Sequence, residues 1–339
     1  MEKKPNVFGG EPLVIFFIGM AGSGKTTLVH RTSIDLSFIK KNHYIINLDP
    51  ASITCPYSPN IDIRDTIDYK KIMSEYFLGP NGAILTSLNL FATRFHQVKK
   101  IIEKNELKFD YILIDTPGQV EIFTWSASGS ILCEAFSANY PTIILFVIDL
   151  ARSINPLTFI SNILYSCGVL YRTRLTSFMI INKKDITSMD FLREWLTDFE
   201  SFDNSITKEN FFAGTFARSL ALTLDNFHKK TFFIGLSAFS GIGAFRLLSL
   251  IKRVNTAFNL QFQLILENHL SKIFSKFRKG IFEDNIVELN GNKTKNILKD
   301  QKLIFKNEKK QENLEFFFIY EYLTTLKIEN DKIYLLKII

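Results

Sequence analysis

Gly19-Met-Ala-Gly22-Ser23-Gly24-Lys25-Thr26-Thr27 satisfies the spacing G-x-x-x-x-G-K-[ST]. Glycines at this spacing let successive backbone N–H groups turn inward around an anion. A helix that opens directly after them adds the partial positive charge of its N-terminus. Lys25 then suits the β- and γ-phosphates of a nucleotide, and the Thr26 hydroxyl suits Mg²⁺. A second motif, Tyr111-Ile-Leu-Ile-Asp115-Thr-Pro-Gly118-Gln119, ends an apolar run on a carboxylate. There Asp115 stands like the acid that holds Mg²⁺ through water. Gly118 can offer an N–H to a terminal phosphate, and Gln119 is of a type that orients a water. A third motif, Asn182-Lys183-Lys184-Asp185, reads N-K-x-D. Its carboxylate accepts two N–H groups that guanine has and adenine lacks, so an unpaired Asp185 penalises adenine. Ser237-Ala238 is expected to complete a base pocket through backbone contacts. Each motif alone has a plainer reading, since an Asp after a strand is commonly a turn or cap residue. Their chain order makes the combination specific.

These residues need elements to hold them. Short apolar runs at Leu13–Ile18, Tyr44–Leu48, Tyr111–Ile114, Thr142–Ile148, Phe178–Ile181 and Phe232–Leu236 are nearly continuous in Val, Ile, Leu and Phe. That is the pattern of strands buried on both faces of a parallel sheet. Helical spacing lies between them. Thr27–Ile39 follows the glycine loop, and Leu88, Phe91, Phe95, Val98, Ile101 and Ile102 fall on one stripe. Alternation of this kind predicts an α/β fold with right-handed crossovers, a three-layer P-loop NTPase domain on a mainly parallel sheet. The expected organisation is an N-terminal extension over 1–11, the nucleotide domain over 12–265 and a variable extension over 266–339.

Composition excludes several classes. The chain has 339 residues, is 46% hydrophobic and carries 33 Phe, so it can bury a large core. Cys55, Cys133 and Cys167 are odd in number and form no CxxC pair, which predicts free buried thiols and suits a reducing compartment. His30, His43, His96, His228 and His269 show no metal-ligand spacing. No window offers about 18 uncharged apolar residues, and none reads as a targeting segment. The net charge of +7 raises the question of nucleic acid. Most of that excess falls beyond residue 270, where the signs alternate and no Arg-rich or aromatic pattern occurs, so direct nucleic-acid binding is disfavoured. Two apolar runs there, Phe316-Phe-Phe-Ile-Tyr and Ile333-Tyr-Leu-Leu-Lys-Ile-Ile, read as edge strands or partner-binding segments. Trp125 and Trp195 read as core or interface anchors.

Gly79-Pro80-Asn81-Gly82 lies between the first two motifs and by turn chemistry is a tight loop joining two helices. With those motifs, the chain resembles the GPN-loop GTPases over roughly residues 12–260. Asn47-Leu-Asp49-Pro-Ala, Asn60-Ile-Asp-Ile-Arg-Asp65, Thr86-Ser-Leu-Asn-Leu-Phe91 and Thr124-Trp-Ser-Ala-Ser-Gly129 carry the likeness further, toward the eukaryotic branch of RNA polymerase II assembly and nuclear import. The resemblance implies a dimeric switch that binds GTP or GDP with Mg²⁺ and hydrolyses GTP. It implies a helical insertion bearing the Gly79-Pro80-Asn81 loop, which reaches across to the partner's γ-phosphate region. It makes Asp49 the switch acid near Mg²⁺ and the nucleophile, and has Gln119 and Glu121 orient water and meet the opposing loop. Thr26, Asp115 and Asp49 become the metal residues. The implied partner is a second copy or a related GPN-loop GTPase, with RNA polymerase II subunits or assembly factors as clients. The implied location is the cytoplasm with passage to the nucleus. Arg64 is expected to form a structural salt bridge rather than to neutralise phosphate. A non-catalytic GTP-bound scaffold is one alternative. The other is a dimeric P-loop ATPase, disfavoured because Met20, Ala21 and Gly22 stand where such proteins carry an extra Lys.

Overall fold

A computed structural model describes residues 11–207, 220 and 232–258. The chain order is β1 (Leu13–Gly19), α1 (Lys25–Phe38), β2 (His43–Asn47), β3 (Ile61–Asp62), α2 (Tyr69–Glu75), α3 (Pro80–Thr93), α4 (Phe95–Asn105), β4 (Tyr111–Asp115), α5 (Val120–Trp125), α6 (Ala127–Ser137), β5 (Thr142–Asp149), α7 (Pro156–Thr173), β6 (Thr176–Asn182), α8 (Asp190–Thr197), α9 (Phe199–Thr207) and β7 (Phe233–Gly235). Two units are distinguished. Residues 11–250 carry the sheet and every site residue, and of the other unit the described part is the helical stretch 251–258.

The seven described strands form one parallel sheet in the order β3-β2-β4-β1-β5-β6-β7. β1 sits centrally and every residue in it is buried, as a strand covered on both faces requires. Val14, Phe16 and Ile18 alternate into a core shared with residues of α3 to α9. On the other side α1 packs against β1, β2 and β4 through Leu28, Val29 and Leu36. The result is the expected three-layer α/β arrangement. Aromatic rings fill the larger gaps. Phe16 meets Phe123 and Phe136 at 5.9 and 5.7 Å, and Trp195 sits among Phe159, Phe191 and Phe202. The sheet order reverses direction around β1, since β2 and β4 lie to one side and β5 to the other. That switch point is where α/β sheets open a crevice at the carboxyl ends of their strands. Register brings those ends level: Phe17 and Asn47 flank Asp115, and Asp149 stands beside Asn182.

Two local expectations are corrected. The stripe Leu88–Ile102 belongs to two helices, not one. Arg94, at φ −96 and ψ 3, ends α3 and α4 restarts at Phe95, so Ile101 is turned out to solvent while Phe95, Val98 and Ile102 stay buried. The Gly79-Pro80-Asn81 segment is more helical than a tight loop. Gly79 is the N-cap of α3, and Pro80 and Asn81 form its first turn, where proline's fixed φ and missing N–H fit best. Trp195 is packed against the core, and Trp125 is 52% exposed, which the interface half of that expectation allows. β3, a two-residue strand, escaped the sequence reading. The three cysteines are all free, but only Cys133 is buried as expected, Cys55 and Cys167 being partly exposed, and among the described residues no helix is long and apolar enough to cross a membrane. His228, His269, the boundary at 265, the basic excess beyond 270 and the apolar runs at 316–320 and 333–339 lie outside the described residues.

Candidate active site

The loop from β1 to α1 is built on glycine geometry. Gly22 and Gly24 adopt φ 78 and 89, a left-handed region that side chains rarely enter. A Cβ on Gly24 would stand 2.4 Å from Asn182 Nδ2, so the loop closes against the base-reading motif itself. Gly24 caps α1, and Lys25 and Thr26 lie inside the helix, two residues earlier than the spacing suggested. Lys25 Nζ donates to Gly19 O at 2.8 Å and Met20 O at 3.1 Å. Burial lowers its pKa, partly offset by the charges of Asp115 and Asp49. Ser23 is buried and its hydroxyl has no hydrogen-bond partner. Thr27 faces solvent.

Asp115 ends β4 at 1% exposure. Its Oδ2 accepts the Tyr57 hydroxyl at 2.8 Å. Its Oδ1 is buried without a partner. Burial raises its pKa to about 6, against the lowering effects of Tyr57, Thr26 and Lys25. Asp49 is half-buried at the end of β2, where burial likewise raises its pKa. Its Oδ1 accepts Ala51 N at 3.0 Å. Among the described residues no group of three or more His, Cys, Asp or Glu is placed to hold a metal. Two carboxylates, a hydroxyl and an unpartnered buried oxygen instead suit Mg²⁺, which takes few protein ligands and keeps phosphate oxygens and waters.

Asn182 ties the base side to the phosphate side. Its Nδ2 donates to Ser23 O at 2.9 Å, while Oδ1 accepts Lys183 N at 2.8 Å and Ala238 N at 2.9 Å. Lys183, at φ 68, reaches back to Asp149 Oδ2 at 2.6 Å. Asp185 is exposed. Ser237 forms a tight turn, accepting Gly241 N on its carbonyl and Ser240 N on its hydroxyl. Gln119 is the half-exposed residue capping α5. Glu121 stands in the first turn of α5, close enough to the Tyr165 hydroxyl of α7 to raise its pKa. Arg64 pairs with Asp62 at 2.6 Å and donates to Ser52 O at 2.9 Å, the structural role expected of it. The fold thus gathers the glycine loop, Asp115, Asn182 and Ala238, with the charges of Asp49 and Asp115 felt at Lys25. Gly79, Pro80 and Asn81 are exposed, and among the described residues no hydrogen bond joins them to that group.

Three residues of this region escaped the motif reading: Tyr57, Asp149 and Arg152. Only Asp149 had a signal, since it ends a buried strand as Asp115 does.

Residues 17–257 match a family model described as "Conserved hypothetical ATP binding protein". GPN-loop GTPase 1 of Dictyostelium discoideum is 42% identical over 312 residues, covering 90% of this chain and 77% of that one. The chain belongs to the GPN-loop GTPases. An Arabidopsis thaliana GPN-loop GTPase is 50% identical, covering 67% of this chain, which spans 60% of that relative. A solved GTPase from Pyrococcus abyssi, in its apo form, superimposes with a TM-score of 0.62 at 27% identity over 70% of this chain and 95% of its own. As a member of the GPN-loop GTPases the protein binds guanine nucleotide and hydrolyses GTP, and N-K-x-D at the rim of the site is the chemistry for that base.

Proposed function

We propose that this GPN-loop GTPase is a dimeric, GTP-dependent switch, paired with a second copy or a related GPN-loop GTPase. Its client is a step of RNA polymerase II assembly or nuclear import, carried out in the cytoplasm with passage to the nucleus. Family likeness supports the client and the compartments. The observation that carries the dimer is the placement of Gly79-Pro80-Asn81. The segment is exposed at the start of α3, and among the described residues no hydrogen bond ties it to its own phosphate loop. Exposed Tyr76 and Phe77, the latter 94% exposed, precede it, and Leu85 and Leu90 add apolar surface on α3. Such surface suits an interface.

In this reading Lys25 and the loop amides bind the phosphates, Asp49 is the switch acid near the nucleophile, and Gln119 and Glu121 orient the attacking water. The Asn81 of one copy serves the γ-phosphate region of the other. Thr26, Asp115 and Asp49 would hold Mg²⁺, which supplies charge neutralisation at the β- and γ-phosphates. Phosphoryl transfer of this kind depends on positioning and electrostatics. Hydrolysis rate per chain, followed against protein concentration, tests the proposal. The rate should rise with dimer formation and fall about 100-fold in Asn81→Ala with GTP affinity retained, as loss of one stabilising group implies. A rate per chain that stays flat with concentration and unchanged in Asn81→Ala removes the dimeric mechanism.

A further inference from the structure

The connection from β5 to α7 sets Arg152 against the phosphate loop, a position that no motif marks. Arg152 Nη1 donates to Ala21 O at 3.1 Å. Its Nη2 lies 3.1 Å from where a Cβ on Gly22 would stand. Asp149 braces it: Arg152 Nε is 3.6 Å from Asp149 Oδ2, and the backbone N–H groups of Ala151 and Arg152 donate to Oδ1 at 3.0 and 3.4 Å. The same Oδ2 accepts Lys183 Nζ at 2.6 Å. The Arg152 side chain is 64% exposed and that of Asp149 only 7%.

Peptide geometry makes this contact directional. A trans peptide is planar, and its C=O and N–H point opposite ways. Holding Ala21 O toward Arg152 therefore holds the Gly22 N–H toward the opposite face. Gly22, at φ 78, tolerates either orientation of the peptide before it. A flipped peptide would aim a carbonyl where an anion-binding loop offers an N–H.

We propose that Arg152 is a positioning residue, a latch that keeps the Ala21–Gly22 peptide in its phosphate-accepting orientation. Asp149 braces the latch and links it through Lys183 to the base-reading loop. Arg152 acts through the peptide and not by touching the nucleotide. The inference rests on the reading of Gly19–Thr26 as the phosphate loop.

Equilibrium titration of the full chain with fluorescent GDP and GTP analogues tests it, using wild type, Arg152→Ala, Asp149→Asn and the double variant. Arg152→Ala should weaken both nucleotides about tenfold, the scale of one charged hydrogen bond. Its thermal midpoint should stay unchanged, because the side chain is exposed. The loss should persist at about 0.5 M salt, where long-range fields are screened but a direct contact is not. The double variant should lose less than the product of the two single losses, because the two residues act as a unit. Equal affinity of Arg152→Ala and wild type overturns the latch. So does a loss that vanishes at high salt, which assigns Arg152 to the general field. If wild type itself binds neither nucleotide, the reading of the loop fails and the latch with it.

Discussion

The side-chain amide of Asn182 donates to the carbonyl of Ser23 at 2.9 Å, so the first residue of the base-reading motif is also a strut of the phosphate loop. The two loops are 159 residues apart in the chain. Asn182 spans them while also holding Lys183 N and Ala238 N. Removing it leaves several buried groups unpaired. Asn182→Ala should lose on the order of 3 kcal/mol of stability in urea denaturation, together with most guanine-nucleotide affinity. Gly24→Ala attacks the same junction from the other side, placing a methyl 2.4 Å from Asn182 Nδ2 at φ 89. It should abolish nucleotide binding in the same titration. Wild-type affinity in Gly24→Ala would show that the junction is not needed.

Asp185 is exposed and free to meet a base edge. Asp185→Asn replaces an acceptor by a donor with little change in shape. GTP affinity should fall about 100-fold or more, since a polar group facing the wrong partner is costly. Xanthine nucleotides should gain, because they present an acceptor there. Competition binding with GTP and XTP reads the exchange, and unchanged GTP affinity counts against this pocket.

Burial raises Asp115 to about 6 in the folded chain, while an unfolded Asp titrates near about 4. The folded chain therefore binds this proton more tightly. The resulting stabilisation is fully present below about pH 4 and is lost as pH rises through about 6, amounting to at most about 3 kcal/mol. Urea denaturation in EDTA from pH 4.5 to 7 should show wild type losing stability relative to Asp115→Asn across that window. Tyr57 donates to this carboxylate and so lowers its pKa. Tyr57→Phe should move the loss to higher pH. Parallel profiles for wild type and Asp115→Asn would contradict the burial argument.

Much of this site was legible because its chemistry is local. The glycine loop is read from conformations that only glycine adopts freely, and Asp115 from the end of an apolar run. The parallel sheet followed from strands without polar alternation. Tyr57 and Arg152 carried no such mark. Tyr57 reaches Asp115 across 58 residues and Arg152 reaches Ala21 across 131, so tertiary packing alone pairs them. Arg94 breaks a stripe whose apolar spacing continues through it, because backbone angles interrupt a helix without changing the pattern of residue types. Turn chemistry makes Pro80 a loop residue, although proline is equally suited to a first helical turn.

Asp185 suits the site to guanine and not adenine. The matched family model carries an ATP-binding description, which makes the question direct. The deciding measurement is displacement of labelled GTP from the purified chain by unlabelled GTP, GDP and ATP. GTP and GDP should displace it near stoichiometry, and ATP should fail even at about 100-fold excess, given the penalty on an unpaired Asp185. Displacement by ATP at the same concentrations as GDP would mean that the site does not discriminate between the bases.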